Sequence, residues 1–113
     1  MDYETLTPLF KALAHPTRLQ ILDMLRCGEI CVCHIETALG KRQAYVSQQL
    51  MILRESGLVE ARKDGLSVYY RLVDPRVIEI LEVVGAPIES EEHHYFADCS
   101  CPMCIDVKLE KVQ

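Results

Sequence analysis

The sequence predicts a mainly α fold with one small β-hairpin, a winged helix-turn-helix that pairs as a homodimer through its terminal helices. Three observations carry this. Segments with apolar residues at helical spacing fill the first half of the chain, and the last two are separated only by Gly40-Lys41-Arg42. Two short alternating runs then flank Asp64-Gly65, a strong hairpin turn signal. A final segment, Val77 to Val84, is too apolar for a surface helix, and a second copy of the chain is the commonest way to cover such a surplus.

The composition bounds the answer further. A chain of 113 residues, half of them hydrophobic, reads as one domain with a genuine core. It has no apolar run of about 18 residues and so no membrane span. The acidic Met1-Asp2-Tyr3-Glu4 start lacks an apolar signal-peptide region. A cytoplasmic protein is therefore expected, with its six cysteines reduced and acting as ligands or redox sensors rather than as a disulfide framework. A net charge of −5 excludes a protein that coats nucleic acid. The charge is uneven, however: residues 41–71 hold six basic against three acidic side chains, and residues 74–113 hold nine acidic against three basic. A basic middle fits a confined DNA contact surface, although charge alone fits a solvated face as well. Residues 1–84 are expected to form the DNA-binding and dimerisation domain, and residues 85–113 a cysteine-containing tail.

Taken in order, Thr5 to Ala14 places Leu6, Leu9, Phe10 and Leu13 on one helical stripe. His15-Pro16-Thr17 breaks it, with His15 expected to be a local hydrogen-bond partner. Pro16 suits the first turn of a second helix, which carries Leu19, Ile21, Leu22 and Leu25 and stops near Cys27-Gly28; Cys27 reads as a small buried residue. A third helix is predicted over Val32 to Leu39, closed by Gly40 as a left-handed cap. The fourth covers Gln43 to Ser56. It has a buried stripe of Val46, Leu50 and Leu53, and a polar face of Gln43, Tyr45, Ser47, Gln48 and Gln49. Strands are predicted over Leu58 to Arg62 and Ser67 to Leu72, the second with Val68, Tyr70 and Leu72 alternating with Tyr69 and Arg71 as in a half-buried strand, forming the wing. Pro75 opens the last helix, to about Val84, and a short helix at Met103 to Lys111 is the one further element expected in the acidic tail.

Two cysteine groups stand out: Ile30-Cys31-Val32-Cys33-His34-Ile35 and Cys99-Ser100-Cys101-Pro102-Met103-Cys104. With the first of these, the stretches Ala12-Leu13-Ala14-His15-Pro16-Thr17-Arg18-Leu19-Gln20-Ile21-Leu22, Val46 through Val59, and Gly65 with Val68-Tyr69-Tyr70-Arg71-Leu72 make the chain resemble the ArsR/SmtB family of winged-helix metalloregulatory repressors over about residues 4 to 84. The resemblance implies a homodimer that binds operator DNA and represses metal-resistance genes. Two departures matter. Arsenic-sensing members carry a third cysteine three residues after the Cys-Val-Cys motif, where this chain has Glu36. Zinc-sensing members place ligands on the last helix, where this chain has Asp74 but then Arg76, so that site reads as absent.

Arsenite and antimonite favour three thiolates, and cadmium and lead also favour sulfur. Residues i and i+2 of a regular helix point about 200° apart, so Cys31 and Cys33 are expected to chelate one ion only if the start of their helix unwinds. The tail offers Cys99, Cys101 and Cys104, which either supply the third sulfur or form a site of their own; His93 and His94 beside them read as solvated polar residues. The DNA contacts expected are Gln43, Tyr45, Ser47, Gln48 and Gln49 to bases or phosphates, and Lys41, Arg42, Arg62 and Lys63 to phosphates. The leading expectation is a repressor released by As(III) or Sb(III), with Cd(II), Pb(II) or Zn(II) next. A thiol redox switch is the alternative. An enzyme is not expected: there is no nucleophile–base pair, and Cys101-Pro102-Met103-Cys104 lacks the βαβ setting of a thioredoxin-like motif.

Overall fold

The computed structural model describes residues 1–85. They form α1 (Tyr3–Leu13), α2 (Pro16–Leu25), β1 (Ile30–Cys31), α3 (Val32–Leu39), α4 (Gln43–Glu55), β2 (Val59–Asp64), β3 (Ser67–Leu72) and α5 (Pro75–Val84). His93, His94, Cys99, Cys101, Cys104 and the helix expected over Met103 to Lys111 lie outside the described residues.

The helices begin where their first residues find acceptors. Asp2 caps α1, taking Glu4 N at 3.1 Å, Thr5 N at 3.3 Å and Thr5 Oγ1 at 2.6 Å. These bonds, the Thr5 hydroxyl foremost, hold the Asp2 carboxyl below the ordinary carboxylate range. His15 plays the local role expected of it: its Nδ1 accepts from Thr17 N at 3.2 Å, while Pro16 occupies the first position of α2. Asp74 caps α5 through Arg76 N and also pairs with the Arg76 guanidinium, which holds its carboxyl low. At the other end of α3, Gly40 adopts φ 63°, the left-handed conformation that a side chain would strain.

Packing follows the apolar spacing closely in α4, where Val46, Leu50 and Leu53 are all buried. They meet Ile21 and Leu22 of α2, Ile35 of α3, and Val77 and Leu81 of α5 in one core. Two apolar residues break the pattern. Phe10 is 55% exposed and Leu19 38% exposed, because Leu9, Ala12 and Leu13 turn α1 inward and Thr17, Ile21 and Leu25 turn α2 inward. Cys27, expected to be buried, is half-buried in the turn after α2.

The sheet differs more from expectation. It has three antiparallel strands in the order β1-β3-β2, and β1, only two residues long, pairs Ile30 with Tyr70 and Cys31 with Tyr69. The hairpin is also longer than predicted. Lys63 and Asp64 belong to β2, leaving Gly65 and Leu66 as a two-residue loop with Gly65 at φ 62°. Of the alternating residues of β3 it is Tyr69 that is buried: it lies opposite Cys31 and Arg62, and the Arg62 guanidinium sits 4.8 Å from its ring centroid. No helix among the described residues is long and apolar enough to cross a membrane.

Candidate metal centre and nucleic-acid interface

Cys31 is the last residue of β1 and the N-cap of α3, with extended backbone at φ −69° and ψ 143°. Cys33 lies in the first turn of the helix. Because Cys31 stands outside the helix, the divergence of a helical i, i+2 pair does not apply, and the two sulfurs meet at 3.0 Å. This corrects the expectation that α3 must unwind before the pair can act together. The separation exceeds the ~2.05 Å of a disulfide, and both residues are thiols. Cys31 is buried and Cys33 half-buried.

The pair lines a cleft of about 570 Å³ whose other walls come from three elements: Glu36 of α3, Gln43 and Ser47 of α4, and Leu66, Ser67 and Val68 of the wing. Glu36 follows Cys33 by three residues and so shares its side of the helix. Its Oε1 is buried without a hydrogen-bond partner. Among the described residues no three His, Cys, Asp or Glu side chains already surround one point. The donors therefore fit a thiophilic ion in part. Two sulfurs are adjacent, and the third described cysteine, Cys27, is not among the residues lining the cleft.

The expected DNA contacts separate into groups. Lys41, Arg42, Gln43, Ser47 and Gln48 are exposed at the start and along one side of α4, and Lys63 is exposed on β2. Arg42, the N-cap of α4, makes no side-chain capping bond. Tyr45 is half-buried, and its hydroxyl meets Thr17 Oγ1 at 3.1 Å. Gln49 does not share the exposed face. It is buried, and its Oε1 accepts from Arg18 Nη1 at 3.1 Å. The same guanidinium donates through Nε to Ala12 O at 2.6 Å and through Nη2 to Lys11 O at 3.0 Å, satisfying two carbonyls at the end of α1. Arg62 is exposed but engaged, donating to both carboxylate oxygens of Glu29 at 2.5 and 3.2 Å. That contact holds the Glu29 carboxyl low.

Sequence reasoning missed Thr17, Arg18, Glu29 and the orphaned oxygen of Glu36. None of them stands out in the sequence, where Arg18 is one of two charged residues of α2, with Asp23.

Comparison with known proteins bears on the same elements. The model of the family described as "Bacterial regulatory protein, arsR family" matches residues 15–61, from the start of α2 into the wing. An uncharacterized HTH-type transcriptional regulator of Methanocaldococcus jannaschii is 46% identical over 83 residues, covering 73% of this chain and 93% of that protein. The arsenical resistance operon repressor of Escherichia coli K12 is 52% identical over 65 residues, covering 57% of this chain and 56% of that one. Among solved structures, the homodimeric winged helix-turn-helix DNA-binding domain of a possible ArsR-family regulator from Mycobacterium bovis superposes with a TM-score of 0.65 at 41% identity, covering 72% of this chain and 75% of that chain.

Proposed function

The chain belongs to the arsR family of bacterial regulatory proteins, and on that premise we propose that it is a transcriptional repressor that binds double-stranded operator DNA as a homodimer and is released when cysteine thiolates take up a soft metal or metalloid ion. The observation that carries this reading is the 3.0 Å contact between Cys31 and Cys33 in a cleft walled by α4 and the wing. An ion held there touches the elements that would read DNA, so occupancy and operator binding are coupled through shared walls. Such couplings are typically about 1–3 kcal/mol and equal in both directions.

The remaining parts fit the reading. Gln43, Ser47 and Gln48 are exposed, which supports contact with base edges, and Lys41, Arg42 and Lys63 are exposed, which supports contact with phosphates and an affinity that falls steeply with salt. Tyr3 and Phe10 of α1 and Val83 and Val84 of α5 are left exposed, and a second copy would cover them. A cytoplasmic setting keeps the thiols reduced. The relative from Escherichia coli is named for arsenicals, which supports As(III) or Sb(III) as inducers, with Cd(II), Pb(II) or Zn(II) next and the tail thiols Cys99, Cys101 and Cys104 as further sulfur donors. The same thiol contact favours a second reading, oxidation of the pair by a peroxide.

The test is operator affinity of the reduced, full-length protein with arsenite, Cd(II), Pb(II), Zn(II) or peroxide, each added singly. It is run on wild type, on Cys31→Ser with Cys33→Ser, and on Cys99→Ser with Cys101→Ser and Cys104→Ser. Release by an ion that disappears in the Cys31/Cys33 variant supports the first reading. Release by peroxide alone replaces it with the second.

A further inference from the structure

We propose that the Glu36 carboxylate is the third donor of the Cys31–Cys33 site and that it turns the site toward a divalent thiophilic cation, of the cadmium or zinc kind, and away from trivalent arsenite. The inference rests on the reading of Cys31 and Cys33 as the sensing pair, and for that pair it reverses the order of inducers drawn from the relative named for arsenicals.

It starts from an anomaly of Glu36. A buried carboxylate oxygen without a partner is costly, and such groups in a native protein call for an explanation, a bound ion among them. Glu36 Oε1 is buried and has no hydrogen-bond partner. Its residue lines the same cleft as both sulfurs. Three residues after Cys33 on α3, it sits on the side of the helix that the thiol occupies. The other residues lining the cleft, including Gln43, Ser47, Ser67 and Tyr70, carry no formal charge to pair with it.

The donor set decides the class of ion. Arsenite wants sulfur in all three positions, and a carboxylate is a hard donor that serves it badly. Zinc accepts mixed sulfur and carboxylate sets, with water filling a fourth position. Two Zn–S bonds of ~2.3 Å at a tetrahedral angle put the sulfurs roughly 3.8 Å apart. The observed 3.0 Å therefore needs to open by less than an ångström. Because no three such side chains already surround one point, completing the site also requires the Glu36 side chain to rotate within the cleft it lines. The two thiols release their protons on binding and offset the divalent charge, and the carboxylate oxygen gains the partner it lacks, leaving the site one negative charge in excess.

The experiment uses full-length, reduced protein carrying Cys99→Ser, Cys101→Ser and Cys104→Ser, so that tail sulfur contributes nothing. Cd(II) is titrated against a competing chelator and followed by the ultraviolet cadmium–thiolate absorption, and arsenite binding is measured in parallel. The expected result is one Cd(II) per chain, weakened roughly tenfold or more by Glu36→Gln with the denaturation midpoint of the metal-free protein not lowered. Glu36→Cys should reverse the preference, strengthening arsenite binding. If Cys31→Ser with Cys33→Ser leaves Cd(II) binding intact, the reading of the sensing pair fails. If that variant abolishes binding but Glu36→Gln does not change it, the pair stands and the Glu36 proposal alone is overturned. Loss of Cd(II) binding on tail substitution alone likewise overturns it, since the third donor would then come from the tail.

Discussion

The two flanks of α4 are built on opposite principles. On one flank its polar side chains are tied down: Tyr45 meets Thr17, and Gln49, one turn later, receives Arg18, whose other nitrogens hold the end of α1. On the other flank Gln43 and Ser47 face a cleft that holds two touching thiols and a carboxylate oxygen with no partner. The first flank fixes the helix against the body of the protein. The second is under-satisfied, and a protein tolerates that where something is to bind. A helix fixed on one side and open to a ligand on the other gives a bound ion a defined object to act upon.

The contrast is most directly broken at Arg18. Arg18→Ala removes three hydrogen bonds and leaves the Gln49 side-chain oxygen and the Ala12 carbonyl without this donor, while Lys11 O keeps only the bond from Ala14 N. Denaturant unfolding should show a loss of about 3 kcal/mol, with operator affinity falling as α4 loses its anchor. The cleft flank should respond in the opposite sense. Glu36→Met replaces a poorly satisfied carboxylate with an apolar side chain and should raise the stability of the metal-free protein by about 1.5 kcal/mol. A denaturation midpoint that drops instead would mean that Glu36 already has a stabilising role without metal. Tyr45→Phe leaves the Thr17 hydroxyl unpaired and should cost about 1 kcal/mol, while Cd(II) binding at the far flank stays unchanged.

The smallest effect concerns the ion pair that braces the strand carrying Cys31. Arg62 lowers the Glu29 carboxyl below its ordinary value, so the pair's contribution is present above the unfolded carboxyl's pKa of roughly 4 and is lost as the pH falls through the folded value. Stability curves of wild type and Arg62→Gln should therefore differ slightly near neutrality and converge in acid. Arg62 is exposed and Glu29 only half-buried, so solvent screening keeps the difference small. A gap that widens in acid would contradict this sign.

Much of the architecture was legible because it rests on spacing. The stripe Val46, Leu50, Leu53 placed α4, Gly40 marked the end of α3, and Asp64-Gly65 marked the wing. What escaped depends on partners distant in sequence. A strand of two residues has no alternation to detect, so helical geometry carried back to Cys31 asks for an unwinding that its place at the end of β1 makes unnecessary. Gln49 looked like one more polar residue on a polar face, because its burial depends on Arg18, 31 positions earlier. Phe10 falls on the apolar stripe of α1 and is nonetheless exposed, because periodicity defines a stripe but not its exact centre. In the site, the thiol pair was visible as a motif. The unpaired oxygen of Glu36 was not, because it is a property of its surroundings.

β1 has one more consequence. A two-residue strand held by the Ile30–Tyr70 and Cys31–Tyr69 pairings is the shortest segment of the sheet, and short peripheral pairings open at far lower free energy than the ladder of a long hairpin. Amide hydrogens at residues 30–31 should thus exchange with solvent well before those in the centre of β2 and β3. An ion bridging Cys31 and Cys33 would stitch that edge to the first turn of α3. Occupancy would then be recorded as slowed exchange in the backbone itself, a readout that needs neither DNA nor a coloured metal.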